Sequence, residues 1–294
     1  MKGVPFAVPG NVPPPVSVQR PMETISMRQR MMFRALLGAM VFAGLAAPAV
    51  AQESRFGCEN EASGSARRHC EIREYPLPAS STVFNVDARP NGSIEVLGAS
   101  RADILVRARV VANAETDAEA RQIASAVQVR AVPGHVSAEG PRSLERRQGW
   151  SVSYQVLVPT QTWLSLQSTN GALAIRDVEG EIDFRTTNGA VSLANLAGQV
   201  KGSTTNGAVR VVLDGPTWTG PGLDVETRNG AVQLAIPEGY SARLEARTEN
   251  GRTRVDFPMT VQGRIDRGVE ADLGSGGPVI RVGTTNGGIQ VTRR

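Results

Sequence analysis

The chain has 294 residues, with 32 Lys and Arg against 28 Asp and Glu, and only 4% of its side chains are aromatic. Residues 1–51 hold five of the 32 basic groups and one of the 28 acidic ones, so the remainder carries 27 of each and is formally neutral. A neutral remainder lacks the electrostatic footprint of a nucleic-acid or anionic-membrane binder. Two well-separated histidines do not suggest a zinc site, and no metal or cofactor is expected.

In chain order, Arg28, Arg30 and Arg34 precede an apolar run over 35–47 that leads into Ala49-Val50-Ala51. A basic start, a short apolar stretch and an A-x-A site predict a secretory signal peptide. The run is too short to span a bilayer comfortably, so no stable membrane span is expected after cleavage. The Pro-rich residues before Met27 are unlike a signal peptide, and Met22, Met27 and Met31 are alternative starts. An exported product, periplasmic or cell-surface, follows. Cys58 and Cys70 are the only cysteines; in an oxidising compartment they are expected to form one disulfide.

Residues 52–80 are polar and read as an irregular segment. The part over 81–161 reads as β-rich, with strands from Val83, around Ile94 and Val96, over 104–111 and over 150–158. Asn91-Gly92 is an outlying copy of a motif repeated later, with the register before it one residue off and Pro90 suggesting a bulge. Thr116 to Glu119 forms a capping-box pattern opening one short helix, with Ala118, Ala120, Ile123, Ala124 and Val127 on its apolar side.

The repeat occupies 162–294. Asn170-Gly171, Asn188-Gly189 and Asn206-Gly207 lie 18 residues apart. Copies follow at Asn229-Gly230, Asn250-Gly251 and Asn286-Gly287, the last after 36 residues, twice the basic interval. A fixed period near 20 marks stacked supersecondary units. Around Asn170 the alternation places Leu164, Leu166, Ser168, Leu173 and Ile175 on one face, and the same five columns recur in every copy. Asn and Gly suit corners because both tolerate positive φ.

Two architectures fit. Asn-Gly between alternating apolar residues is a hairpin signal and would make a meander. The alternative, favoured here, is an all-β parallel solenoid with rungs of about 18 residues, because the second corner also repeats: Asp177-Val178-Glu179-Gly180 and Asn195-Leu196-Ala197-Gly198. Stacked Asn and Thr would then form ladders between rungs. The last strand, over 288–294, would be an uncovered edge, which predicts self-association.

The signal peptide, the repeated [ST]-x-N-G-x-[VIL]-x-[VIL], the Y-x-V-x-V-P strand over 154–159 and the Gly-rich final rung together resemble the DUF4097-type β-strand-repeat proteins, a family labelled putative adhesins. The resemblance covers about 83–294 and implies a β-helical exported protein of bacterial type. It implies no catalytic residues.

Gly274-Ser275-Gly276-Gly277-Pro278-Val279 resembles the serine box of trypsin-like proteases, with His69 and Asp103 in the right chain order. Gly274 stands where that box has Asp, and a triad depends on geometry rather than order. A Gly-rich corner midway through a 36-residue double rung is the preferred explanation. Asp177, Asp183, Asp214, Asp224, Asp256, Asp266 and Asp272 do not fall in one column, which weakens the alternative of a carbohydrate-active hydrolase or lyase. Trp150, Trp163 and Trp218 are either sugar-stacking platforms or, as expected from usual Trp burial, core and cap residues. The sequence therefore predicts a non-enzymatic structural, adhesive or binding module at the cell envelope, meeting an envelope protein or a glycan.

Overall fold

In the computed structural model, residues 56–58, 67–142, 144–256 and 268–294 are described. The expected signal peptide and cleavage site lie outside them. The repeat builds rungs of two strands each, because every copy alternates on both sides of its Asn-Gly corner. Strands β1 (Arg67–Pro78), β2 (Phe84–Asp87), β3 (Ile94–Ala99) and β4 (Asp103–Ala114) come first. Helix α1 (Asp117–Ala126) follows, then β5 (Gln128–Val132), β6 (His135–Glu139) and β7 (Gly149–Pro159). The repeated rungs are β8 (Leu164–Gln167) with β9 (Leu173–Arg176), β10 (Glu179–Asn188) with β11 (Val191–Ala194), and β12 (Ala197–Asn206) with β13 (Val209–Val212). Next come β14 (Gly222–Asn229) with β15 (Val232–Ile236), β16 (Ala242–Asn250) with β17 (Thr253–Val255), the lone β18 (Gly268–Leu273), and β19 (Val279–Asn286) with β20 (Ile289–Arg293).

Successive rungs pair in parallel and in register, Ile182 beside Val200 and Val191 beside Val209. They form two 10-stranded sheets, one ordered β1-β4-β7-β3-β9-β11-β13-β15-β20-β17 and the other β18-β16-β19-β14-β12-β10-β8-β2-β6-β5. The architecture is thus a parallel β-solenoid with one short helix among the described residues. Its core is the expected set of columns: Leu164, Ile182, Val200, Leu223, Leu244 and Ile280 are each at most 2% exposed. Gly202 leaves a gap in the next column that Phe184 fills; a Cβ on Gly202 would stand 2.5 Å from the Phe184 ring.

The polar columns close the stack. Asn170, Asn188, Asn206 and Asn229 each donate Nδ2 to the Oδ1 of the preceding asparagine at 2.8 Å, starting from Asn91. Asn286 donates to Asn229 at 2.7 Å and Asn250 to Asn286 at 2.9 Å. Beneath this ladder Thr186, Thr204, Thr227, Thr284 and Thr248 donate Oγ1 to the carbonyl of a motif glycine in the adjoining rung, and Ser168 does so with Oγ to Gly92. These six hydroxyls are thereby satisfied, as burial requires.

The reason for glycine differs from the expected one. None of the motif asparagines or glycines has φ in the left-handed region. The constraint is the close approach of stacked backbones: a Cβ on Gly189 would stand 1.9 Å from the Gly171 carbonyl oxygen. Positive φ occurs instead at the second corner, at Asp177 (59°) and Asn195 (50°), where Asn195 Nδ2 donates to Asp177 Oδ1 at 2.7 Å.

Four further expectations are corrected. The 36-residue interval is not a double rung. Strand β18 runs antiparallel to β16, and β19/β20 then enters the stack between β14/β15 and β16/β17. The terminal strand β20 is consequently interior, paired with β15 and β17, so an exposed last strand is no basis for self-association. Part of the presumed irregular 52–80 segment is β1, paired along its length with β4. Its pattern is illegible because it is an edge strand whose only buried side chain is Leu77. Finally, α1 has its capping box and buries Ala120, Ile123 and Ala124, but Ala118 points to solvent.

Strand β1 also anchors the start of the unit. Arg73 Nη1 and Nη2 donate to the carbonyls of Val127 and Ala124 at 2.6 and 2.9 Å, supplying the cation that the last turn of α1 lacks. Cys58 and Cys70 are disulfide-bonded, and Arg109 lies 5.3 Å over the Phe56 ring.

Candidate functional site

The outward residues of the long-strand sheet, β18 to β5, distinguish one stretch of surface. Register sets Asp183, Lys201, Asp224, Arg281 and Glu245 side by side across five strands, so opposite charges alternate, the favourable arrangement for cross-strand neighbours. Toward β18 these charges are closed on one another. Arg281 bridges Asp224 at 3.0 Å and Glu245 at 2.9 Å, and Arg243 approaches Glu245, Glu270 and Asp272. Hydrogen bonding from Arg281 holds the Glu245 carboxyl below its ordinary range, and the two carboxylates raise the Arg281 guanidinium.

Toward β8 the same face is open. An outward groove of about 770 Å³ is lined by Ser165, Gln167, Asp183, Arg185, Lys201 and Glu226, among others. The short side chains of Ser165 on β8 and Ser203 on β12 lie among longer ones in its lining. Among the described residues, Asp183, Arg185, Lys201 and Glu226 make no side-chain hydrogen bond or ion pair. A smaller hollow involving Asn85, Asp87 and His135 adjoins it and shares Arg89, Ser165 and Gln167. Burial raises the Asp87 carboxyl, but hydrogen bonds from Arg89 outweigh this and hold it low.

Asp183 and Asp224 do stand in one column, each five residues before its asparagine, with Lys201 between them. Asp177, at the second corner, lies outside this column, so the aspartates do not all fall in one column, as expected, although these two share one. Chain spacing hid the match because five extra residues separate the β12 and β14 copies. That insertion tucks in Trp218, 4% exposed, whose Nε1 donates to the Gly198 carbonyl at 2.9 Å.

The other tryptophans separate too. Trp150 is half-buried, donating Nε1 to the Pro141 carbonyl at 3.0 Å, whereas Trp163 is 49% exposed. The expectation of a core or cap role fails for Trp163, because it occupies an outward position one residue before Leu164.

The serine-protease constellation is not assembled. His69 lies on β1, at one edge of the first sheet, beside Glu71. Asp103 pairs with Arg101. Ser275 follows β18, at the opposite edge of the second sheet, with its Oγ 3.2 Å from Ser241 Oγ. Gly274 (55°), Gly276 (76°) and Gly277 (140°) have positive φ there, so the Gly-rich box is a tight turn between β18 and β19. Among the described residues no cluster of His, Cys, Asp and Glu is arranged to hold a metal ion. No helix among them is long and apolar enough to cross a membrane.

Stacked β-strand repeats with an Asn-Gly corner define the class. The family model described as Toastrack DUF4097 matches residues 158–292, and the chain carries this domain over β8 to β20. Similar solved structures include a "putative cell adhesion protein" from Clostridium sporogenes ATCC 15579, 10% identical with TM-score 0.40, covering 78% of this chain and 100% of that one. Another is a "putative adhesin" from Bacteroides fragilis NCTC 9343, 10% identical with TM-score 0.35, covering 77% of this chain and 97% of that one. No curated protein matches the chain in sequence.

Proposed function

We propose that the protein is an exported, non-enzymatic β-solenoid that displays a binding face at the bacterial cell envelope. The observation that carries this reading is the unbroken ladder from Asn91 to Asn250. The repeated polar residues are engaged between rungs, which leaves recognition to the outward side chains. The Cys58–Cys70 disulfide supports export, since such bonds persist in oxidising compartments. The partner is an envelope glycan or protein.

Fractionation of the tagged full chain tests the reading: it is expected with the envelope, its cysteines oxidised. Recovery in the cytoplasm with free thiols would overturn it.

A second reading draws on the groove itself, where Asp183, Asp224 and Glu226 converge with Arg185 and Lys201. Carboxylates and bases on one groove are what a carbohydrate-active hydrolase or lyase uses. Turnover of a polysaccharide, abolished by Asp183→Asn, would establish it in place of display.

A further inference from the structure

Resting on the display reading, we propose that the open groove over β8, β10 and β12 binds a linear, uncharged glycan, with Trp163 as its stacking platform. Among the described residues, the exposed large hydrophobic side chains are Ile72, Val83 and Trp163. Two of these are neighbours on the groove-bearing face. Phe84 and Leu164 are in register, the Phe84 N–H donates to the Trp163 carbonyl at 2.8 Å, and Val83 and Trp163 immediately precede them. Both side chains point outward, as do Ser165 and Gln167 farther along the strand. Trp163 leans over β10, where a Cβ on Gly180 would stand 3.0 Å from its Cδ1. The ring is not itself in the lining of the groove but stands one outward position before Ser165, which is.

A pyranose has this duality: a C–H face that packs on an aromatic ring and a rim of hydroxyls that both donate and accept. Trp suits the first demand, being a large, rigid, amphipathic surface. The groove meets the second with Ser165 and Gln167, and with the uncommitted Asp183, Arg185, Lys201 and Glu226. These four balance to zero charge, which favours an uncharged ligand over an acidic or basic one. The strand spacing of ~4.8 Å is close to the length of one sugar unit in a linear chain, so successive units meet successive strands. A volume of about 770 Å³ lies within the usual range for ligand sites. A protein interface instead needs a central apolar cluster, and here the apolar contact is confined to one end.

The test titrates the full chain with cellohexaose, chitohexaose, mannohexaose and, as the acidic probe, hexagalacturonic acid. Calorimetry and acrylamide quenching of Trp fluorescence are read together. A neutral hexamer is expected to bind and to shield Trp163 from quencher. Trp163→Ala and Asp183→Asn are each expected to weaken binding about tenfold or more. Arg210→Ala, on the opposite sheet, is expected to leave it unchanged. The proposal is overturned if no neutral hexamer binds at millimolar concentration, if only the acidic one binds, or if Trp163→Ala has no effect. Capture of a protein through Trp163 with no hexamer bound overturns the glycan assignment and leaves display standing. Shortening of a bound hexamer upholds the site and overturns the non-enzymatic reading.

Discussion

A methyl group placed on Gly189 meets the Gly171 carbonyl oxygen at 1.9 Å, and Gly207 is confined in the same way by Gly189. Both obstacles are backbone and cannot swing aside. Gly189→Ala is therefore expected to cost more than the ~1–3 kcal/mol of ordinary core overpacking, measured as the loss of unfolding free energy in urea. Gly202→Ala meets a side chain instead, the Phe184 ring at 2.5 Å, so its cost should be partly recovered in the double variant with Phe184→Leu. Additive costs would show that the two sites are not coupled. The sequence makes the corner glycines legible as a pattern, but not the cause of the pattern. Tolerance of positive φ is a property of one residue, whereas approach of neighbouring backbones exists only in the stack. Trp163 was hidden for a related reason. Alternation assigns it outward, but nothing in the one-dimensional pattern says that its neighbours would be short enough to leave it bare.

Among elements, the inward columns could be read with little loss because each copy repeats the same alternation. Rung order could not, because parallel register is identical whichever rung lies next. The chain end shows the consequence. With β19/β20 inserted between β14/β15 and β16/β17, removing residues 279–294 should release β16 to β18 rather than trim one terminal rung. Limited proteolysis is expected to cut the truncated chain throughout 237–278. Resistance there would indicate that β16 can pair directly with β14. The Arg281-centred pairs on this face set a pH dependence. Glu245 is held below its ordinary range by hydrogen bonding from Arg281, and Asp87 by Arg89 despite burial. A depressed carboxyl contributes stability above its unfolded value and loses it as pH falls through the folded one. The melting temperature should thus drop on acidification below about pH 4. Glu245→Gln should be less stable at neutral pH and show a shallower acid loss; an unchanged slope would deny the pair a role.

At the scale of the whole molecule, one repeated motif does two separable jobs. Its inward and corner positions hold rungs together, since no rung buries enough to stand alone. Its outward positions are free to vary, and differ between the ion-paired half of the long-strand face and its open half. The scaffold half of this division is tested most directly by Asn206→Ala, central in the ladder, which removes the bond donated to Asn188 and the one accepted from Asn229. At a net ~0.5–1.5 kcal/mol per hydrogen bond, urea unfolding should show one cooperative transition destabilised by about 1–3 kcal/mol. An unchanged midpoint would contradict the account, because the repeated asparagines would then be holding nothing together.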